Sequence, residues 1–149
     1  MKLSDRVALH PASEADIDTA GTPEEIIGVI KTLGRDAVAD RLAYLYDIVE
    51  EDPDEPPMDI DSLRAMALFL ISERELPDPQ IGVNPDGLVQ TQWRVPSGGL
   101  LAMEFLPMGL IRFAAVSEPA TPGVERQRFS GALPKAETLD AVQPFTASL

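Results

Sequence analysis

The sequence predicts an α+β fold: three N-terminal helices packed on one face of a four- to five-stranded antiparallel sheet, with a short C-terminal helix. Two observations carry this expectation. Residues 22–75 hold three amphipathic segments at helical spacing, separated by Gly34 and by a proline-rich acidic loop. Further on, the turn signals Asn84-Pro85-Asp86-Gly87, Pro96-Ser97-Gly98-Gly99 and Pro107-Met108-Gly109 recur between runs that alternate with period 2, the mark of an antiparallel meander. Helices first and strands afterwards place the helices together on one side of the sheet.

Residues 1–21 are small and polar without sustained periodicity, and are expected to form a poorly ordered arm. The folded domain is then residues 22–149, an acidic helical half (22–78) followed by the meander and last helix (79–149). The first helix opens at Thr22-Pro23-Glu24-Glu25, where Thr22 caps, Pro23 suits the first helical position and Glu25 completes a capping box. Ile26, Ile27, Ile30 and Leu33 share one face, and Gly34 is a natural stop. The second helix spans about Asp36 to Glu51. Val38, Leu42, Leu45 and Val49 form its inner stripe, which Tyr44 and Ile48 widen. Residues 50–57 read as an exposed loop, because prolines forbid helix and like charges repel. The third helix, capped by Asp59 or Asp61, runs to about Glu75 with Leu63, Met66, Ala67 and Leu70 inward, and is the expected partner of the sheet. After the meander, Ser117–Gly123 is a loop, Arg126–Ser130 an additional strand, and Pro134 starts a helix carrying Leu139 and Val142.

Alternation gives the sheet two chemically different faces. Val89, Thr91, Trp93 and Val95 share the core side with Leu101, Met103, Phe105, Ile111, Phe113 and Ala115. Gln90, Gln92, Arg94, Ala102, Glu104, Arg112 and Ala114 point the other way. Matching the faces aligns Trp93, Met103 and Phe113 in one row and Gln92, Glu104 and Arg112 in the next. Glu104 flanked by Arg112 and Arg94 is a candidate grip for an anionic or amide group or an anchor for a partner. Its plainer reading is a solvated cross-strand ion pair. Trp93, the sole tryptophan, reads as core.

The net charge of −13 is unevenly spread: residues 1–78 carry 19 Asp/Glu against 7 Lys/Arg, residues 79–149 carry 6 against 5. Acidity of this kind opposes binding to a phosphate backbone and favours basic partners. With no cysteine and one histidine, His10 in the expected arm, thiolate chemistry, histidine-based metal sites and a Ser–His–Asp arrangement have no foundation. The acidic run from Asp47 to Asp61 lacks EF-hand spacing and its glycine. Neither GxGxxG nor GxxxxGK[ST] occurs, and two-carboxylate hydrolysis has no localised acid. A helix-turn-helix around Leu33-Gly34-Arg35-Asp36 would carry Asp36, Asp40 and Asp47 on its reading helix against Arg41 alone. No cofactor is expected. No apolar run reaches the roughly 18–20 residues of a membrane span, and no long apolar segment follows Met1-Lys2-Leu3-Ser4-Asp5-Arg6, so a cytoplasmic protein is expected.

The order of motifs is familiar. Residues 35–42 precede the acidic loop, followed by Ser62–Leu70, Asp86-Gly87-Leu88-Val89-Gln90-Thr91-Gln92-Trp93 and Met103-Glu104-Phe105-Leu106. This resembles a diffuse group of small uncharacterised bacterial proteins with a helical N-terminal half and a DG…W antiparallel meander. The likeness covers roughly residues 22–132. It implies the fold and a bacterial cytosol, and brings neither an activity nor functional residues.

The leading functional expectation is a non-enzymatic, acidic protein-interaction module, an antitoxin- or immunity-like neutraliser of a basic protein. Glu50, Glu51, Asp52, Asp54 and Glu55 are its candidate partner-facing carboxylates. The first alternative is a small-ligand binder or enzyme using Gln92, Arg94, Glu104 and Arg112. The second is a nucleic-acid mimic, against which the clustering of eight carboxylates from Asp47 to Asp61 around a proline-broken loop argues. A homodimer through an exposed sheet edge or the third helix is compatible with the sequence.

Overall fold

The computed structural model of the chain describes residues 13–96, 98–117, 123 and 127–149. Four helices come first: α1 (Glu14–Thr19), α2 (Pro23–Thr32), α3 (Asp36–Glu51) and α4 (Ile60–Ser72). Then come β1 (Gln80–Val83), β2 (Val89–Arg94), β3 (Leu100–Phe105), β4 (Leu110–Ser117), β5 (Gln127–Pro134) and α5 (Lys135–Thr146). The strands make one antiparallel sheet in sequence order. The fold is α+β with the helices on one face. Helix α4 lies against β2 and β3, α3 against β1, and α5 against β4 and β5. None of the described helices is long and apolar enough to cross a membrane.

Each meander turn is built the same way. Pro85, Pro96 and Pro107 stand 11 residues apart, each opening a three-residue Pro-x-Gly loop. The loops are closed by Asn84 N–H to Leu88 C=O (2.9 Å), Val95 N–H to Gly99 C=O (2.8 Å) and Leu106 N–H to Leu110 C=O (3.0 Å). Gly87, Gly98 and Gly109 hold φ of 83°, 109° and 81°, the left-handed conformation that three-residue hairpins require. Loop length sets register, and here it corrects an expectation. Trp93 pairs with Leu101 and Thr91 with Met103, two residues from the expected alignment, whereas Met103–Phe113 and Glu104–Arg112 pair as expected. The three-residue Pro96–Gly98 loop overrides an alignment drawn from hydrophobic matching, because a shift of two keeps every side chain on its own face.

Within the expected arm, Glu14–Thr19 form α1. Ser13 N–H and Oγ both donate to Asp16 Oδ2, starting α1, and Ile17 is fully buried. Arg64 of α4 donates to the carbonyls of Ile17 (2.6 Å) and Ala20 (2.8 Å), satisfying a helix C-terminus with a cation. Residues 1–12, including His10, lie outside the described residues, as do 118–122 and 124–126 with the expected strand start at Arg126. Strand β5 extends past Ser130 to Pro134, and β1 is a further short strand.

Helix α4 is the core helix, as expected, with Leu63, Met66, Ala67, Phe69 and Leu70 fully buried. Asp59 caps it by accepting from Ser62 N–H (2.9 Å), and it ends at Ser72 rather than Glu75. Arg35, itself buried, donates to the carbonyls of Glu73 (3.2 Å) and Leu76 (2.9 Å) and to Asp78 Oδ1 (2.8 Å). Those carbonyls are therefore satisfied outside the helix. Trp93, also core as expected, donates from Nε1 to Pro77 C=O (2.9 Å). Phe69 stacks between Trp93 and Phe105 with centroids 6.1 and 5.7 Å away. Tyr44 and Ile48 are 56% and 43% exposed instead of widening the inner stripe of α3. That helix meets the sheet mainly along its shortest strand, and Arg41 covers Tyr44 with its guanidinium 5.5 Å from the ring centroid.

Candidate functional site

The sheet face away from the helices is uncovered by any described element. Its register sets Gly82, Gln90, Glu104, Arg112 and Ala132 in one row and Gln80, Gln92, Ala102, Ala114 and Ser130 in the next. Small residues from the centre to β5 and longer amides on β1 and β2 leave a hollow of about 690 Å³.

Glu104 anchors this face. Its side chain is only 12% exposed although it points outward. Oε2 accepts from Asn84 Nδ2 (2.8 Å) and Gln90 Nε2 (2.7 Å), and Oε1 accepts from Arg112 Nη1 (2.5 Å). Asn84 is fixed in turn, because its Oδ1 accepts from the N–H groups of Asp86 and Leu88 (2.9 Å each), an Asx turn closing the first hairpin. Both carboxylate oxygens are thus occupied, so Glu104 orients neighbouring donors instead of serving as a free base. Arg112, 62% exposed, keeps most of its donor fork toward solvent.

Of the four residues expected here, the structure brings together Glu104 and Arg112. Gln92 sits one row away, opposite Ala102, and Arg94 pairs with Leu100. Arg94 is therefore displaced from Glu104 by about 14 Å along the strand, and it does not flank the carboxylate. Gln90 and Asn84 are the partners that sequence reasoning missed. The three-residue loop length was the available signal for Gln90, and the Asn-Pro-Asp-Gly turn for Asn84.

The second candidate surface is the outer end of α3. Glu50 and Glu51 occupy its last turn, Asp52 follows as C-cap, and Asp54 and Glu55 lie in the loop beyond; all are exposed. Carboxylates at this end meet the negative pole of the helix, which disfavours them, and the last turn holds no basic residue. Three arginines of the helical half are engaged elsewhere. Arg35 and Arg64 donate to backbone carbonyls as described, and Arg41 Nε donates to Ile81 C=O (3.3 Å). One turn before Glu50, α3 is tied to α2 by Tyr46, whose hydroxyl donates to Glu24. That bond pushes the Tyr46 phenol up to about 12 and lowers Glu24.

Among the described residues, no group of three His, Asp or Glu side chains is placed to hold a metal ion. Compared with protein families, curated proteins and solved structures, the chain matches none. The functional argument therefore rests on fold and geometry.

Proposed function

We propose that the chain is a non-enzymatic, acidic protein-interaction module that engages a basic protein through the outer end of α3 and the loop after it, as a cytoplasmic antitoxin- or immunity-like neutraliser would. One observation carries the reading. Glu50, Glu51 and Asp52 stand exposed at the negative pole of a helix, where they cost stability, and the last turn of that helix holds no basic residue. Residues kept against local stability are expected at functional positions. Charges so placed steer a basic partner and set salt-dependent association.

The test is capture from host lysate with two baits, the wild-type chain and the variant Glu50→Gln/Glu51→Gln/Asp52→Asn, at low and high salt. The reading expects a stoichiometric basic protein retained by the wild type at low salt, lost at high salt, and absent from the variant. Identical captures by both baits would remove the acidic end of α3 from the account.

A second reading has its own observation. The hollow on the open sheet face holds an oriented Glu104–Arg112 pair beside Gln80 and Gln92, whose amides make no side-chain hydrogen bond among the described residues. That arrangement suits a small ligand bearing carboxylate or amide groups. It expects Arg112→Ala to abolish ligand-induced stabilisation in a thermal-shift screen without lowering the Tm of the free protein. A broad screen without a hit counts against it.

A further inference from the structure

The two edges of the sheet are unlike. In an antiparallel ladder, alternate residues direct N–H and C=O to one neighbour or the other. Leu106 N–H bonds Leu110 C=O across the β3–β4 turn. Residues 110, 112, 114 and 116 therefore face β3, and 111, 113, 115 and 117 face β5. By register, Gln127, Phe129, Gly131 and Leu133 bond to β4, which leaves the N–H and C=O groups of Arg128, Ser130 and Ala132 directed away from the sheet. The same reasoning at the other edge leaves Ile81 and Val83 outward on β1. That edge is only four residues long, and Arg41 already occupies the Ile81 carbonyl. Edge β5 is eight residues long, and none of the side chains of residues 128–133 apart from Arg128 carries a charge. Among the described residues, the features on it that blunt free edges are Arg128 and Pro134, near its two ends.

Two further observations say what covers it. Phe129, beside the free edge on the helix-bearing face, is 39% exposed although it touches Phe113 and Phe145. The charge is also partitioned. The acidic helix α3 lies against β1, at the opposite edge, while residues 79–149 hold 6 acidic and 5 basic side chains. A second copy approaching β5 meets a nearly neutral surface, with both acidic bodies at the far ends.

From this we infer that the chain forms a two-fold homodimer by antiparallel pairing of β5 with β5 of a second copy, making one continuous sheet. Of the possible alignments, centring the axis on Ser130 uses all three outward residues: Ser130 opposite the partner's Ser130, and Arg128 opposite the partner's Ala132. Phe129 then lies across from the partner's Gly131, a position with no side chain of its own to cover the joint. On the outer face, the partner's Arg128 joins the row of Glu104, Arg112 and Ala132, so the two hollows merge across the axis. This inference does not depend on the basic partner proposed above.

The chain has no cysteine, which permits a positional test. Paired residues exchanging hydrogen bonds have Cα atoms about 5.5 Å apart, within disulfide reach. Under mild oxidation, Ser130→Cys is expected to convert to a cross-linked dimer, while Ala102→Cys, central on the same face, is not. In parallel, light scattering is expected to give twice the 16.1 kDa chain mass for the wild type. Two separate variants should give monomers. Ser130→Pro removes only an outward N–H, and Ala132→Lys sets a cation opposite the partner's Arg128 while keeping every backbone group. A monomeric wild type overturns the inference. So does a dimer that persists in Ala132→Lys with unchanged Tm, or equal cross-linking of the two cysteine variants.

Discussion

Ser62 offers the sharpest test of how the helical layer is joined to the sheet. Its hydroxyl donates to Phe105 C=O (2.5 Å) and accepts from Val89 N–H (2.8 Å), and the residue is fully buried. The β2–β3 ladder places Val89 opposite Phe105 at a position where the two would exchange a bond directly, yet the paired register stops at Gln90–Glu104. The side chain at the N-terminus of α4 is thus a wedge that replaces a ladder bond and docks the helix. Ser62→Ala strands one buried donor and one buried acceptor, each worth about 1–3 kcal/mol when unsatisfied. Partial closure of the strands recovers some of this, so the expected loss is about 2–4 kcal/mol. For a chain of this size that lowers Tm by roughly 6–12 °C. The assay is thermal and urea unfolding followed by Trp93 fluorescence, with the urea midpoint falling at constant slope. A Tm within about 1 °C of wild type would refute the wedge, because it would mean that the strands pair without it.

Other consequences follow from single contacts. Thr91 is 1% exposed and its Oγ1 has no hydrogen-bond partner, so Thr91→Val is expected to raise stability by about 1 kcal/mol, read as a higher urea midpoint. Gly87 combines φ of 83° with a would-be Cβ 2.3 Å from Pro57 C=O. Gly87→Ala should therefore cost more than about 2 kcal/mol and loosen the 57–59 segment, seen as faster amide exchange at Asp59. The Glu24–Tyr46 bond predicts opposite pH effects at its two ends. Lowering of Glu24 adds stability above the ordinary carboxylate range that is lost as pH falls through its folded value. Raising of Tyr46 adds stability that is full below about 10 and lost as pH climbs toward about 12. Tyr46→Phe should remove both the late phenolate absorbance step and that alkaline loss. Glu50→Gln/Glu51→Gln/Asp52→Asn should raise Tm by about 2 °C, the reverse of a merely structural role.

Much of this architecture was legible in the residues themselves. Thr22 and Pro23 start α2 and the α3 limits fall where expected, because caps and prolines act within a turn of their own position. The two faces of the sheet follow from alternation, which survives a register shift of two. What alternation cannot supply is which outward residues become neighbours, and so Gln92 was placed where Gln90 lies. Long-range satisfaction of carbonyls was equally hidden. Arg64 and Arg35 look like surface charges, but reaching Ala20 and Leu76 makes them structural. The candidate site was half visible: Glu104 and Arg112 pair by face and register, while Asn84 joins them through the side chain that also forms the Asx turn of the first loop.

The central claim, a basic partner held by carboxylates at the outer end of α3, is tested most directly by the salt dependence of affinity for the captured partner. Titrations across ionic strength should show the wild-type dissociation constant rising steeply with salt, and the Glu50→Gln/Glu51→Gln/Asp52→Asn variant starting weaker with a flatter slope. Equal slopes and equal affinities for the two proteins would contradict the claim.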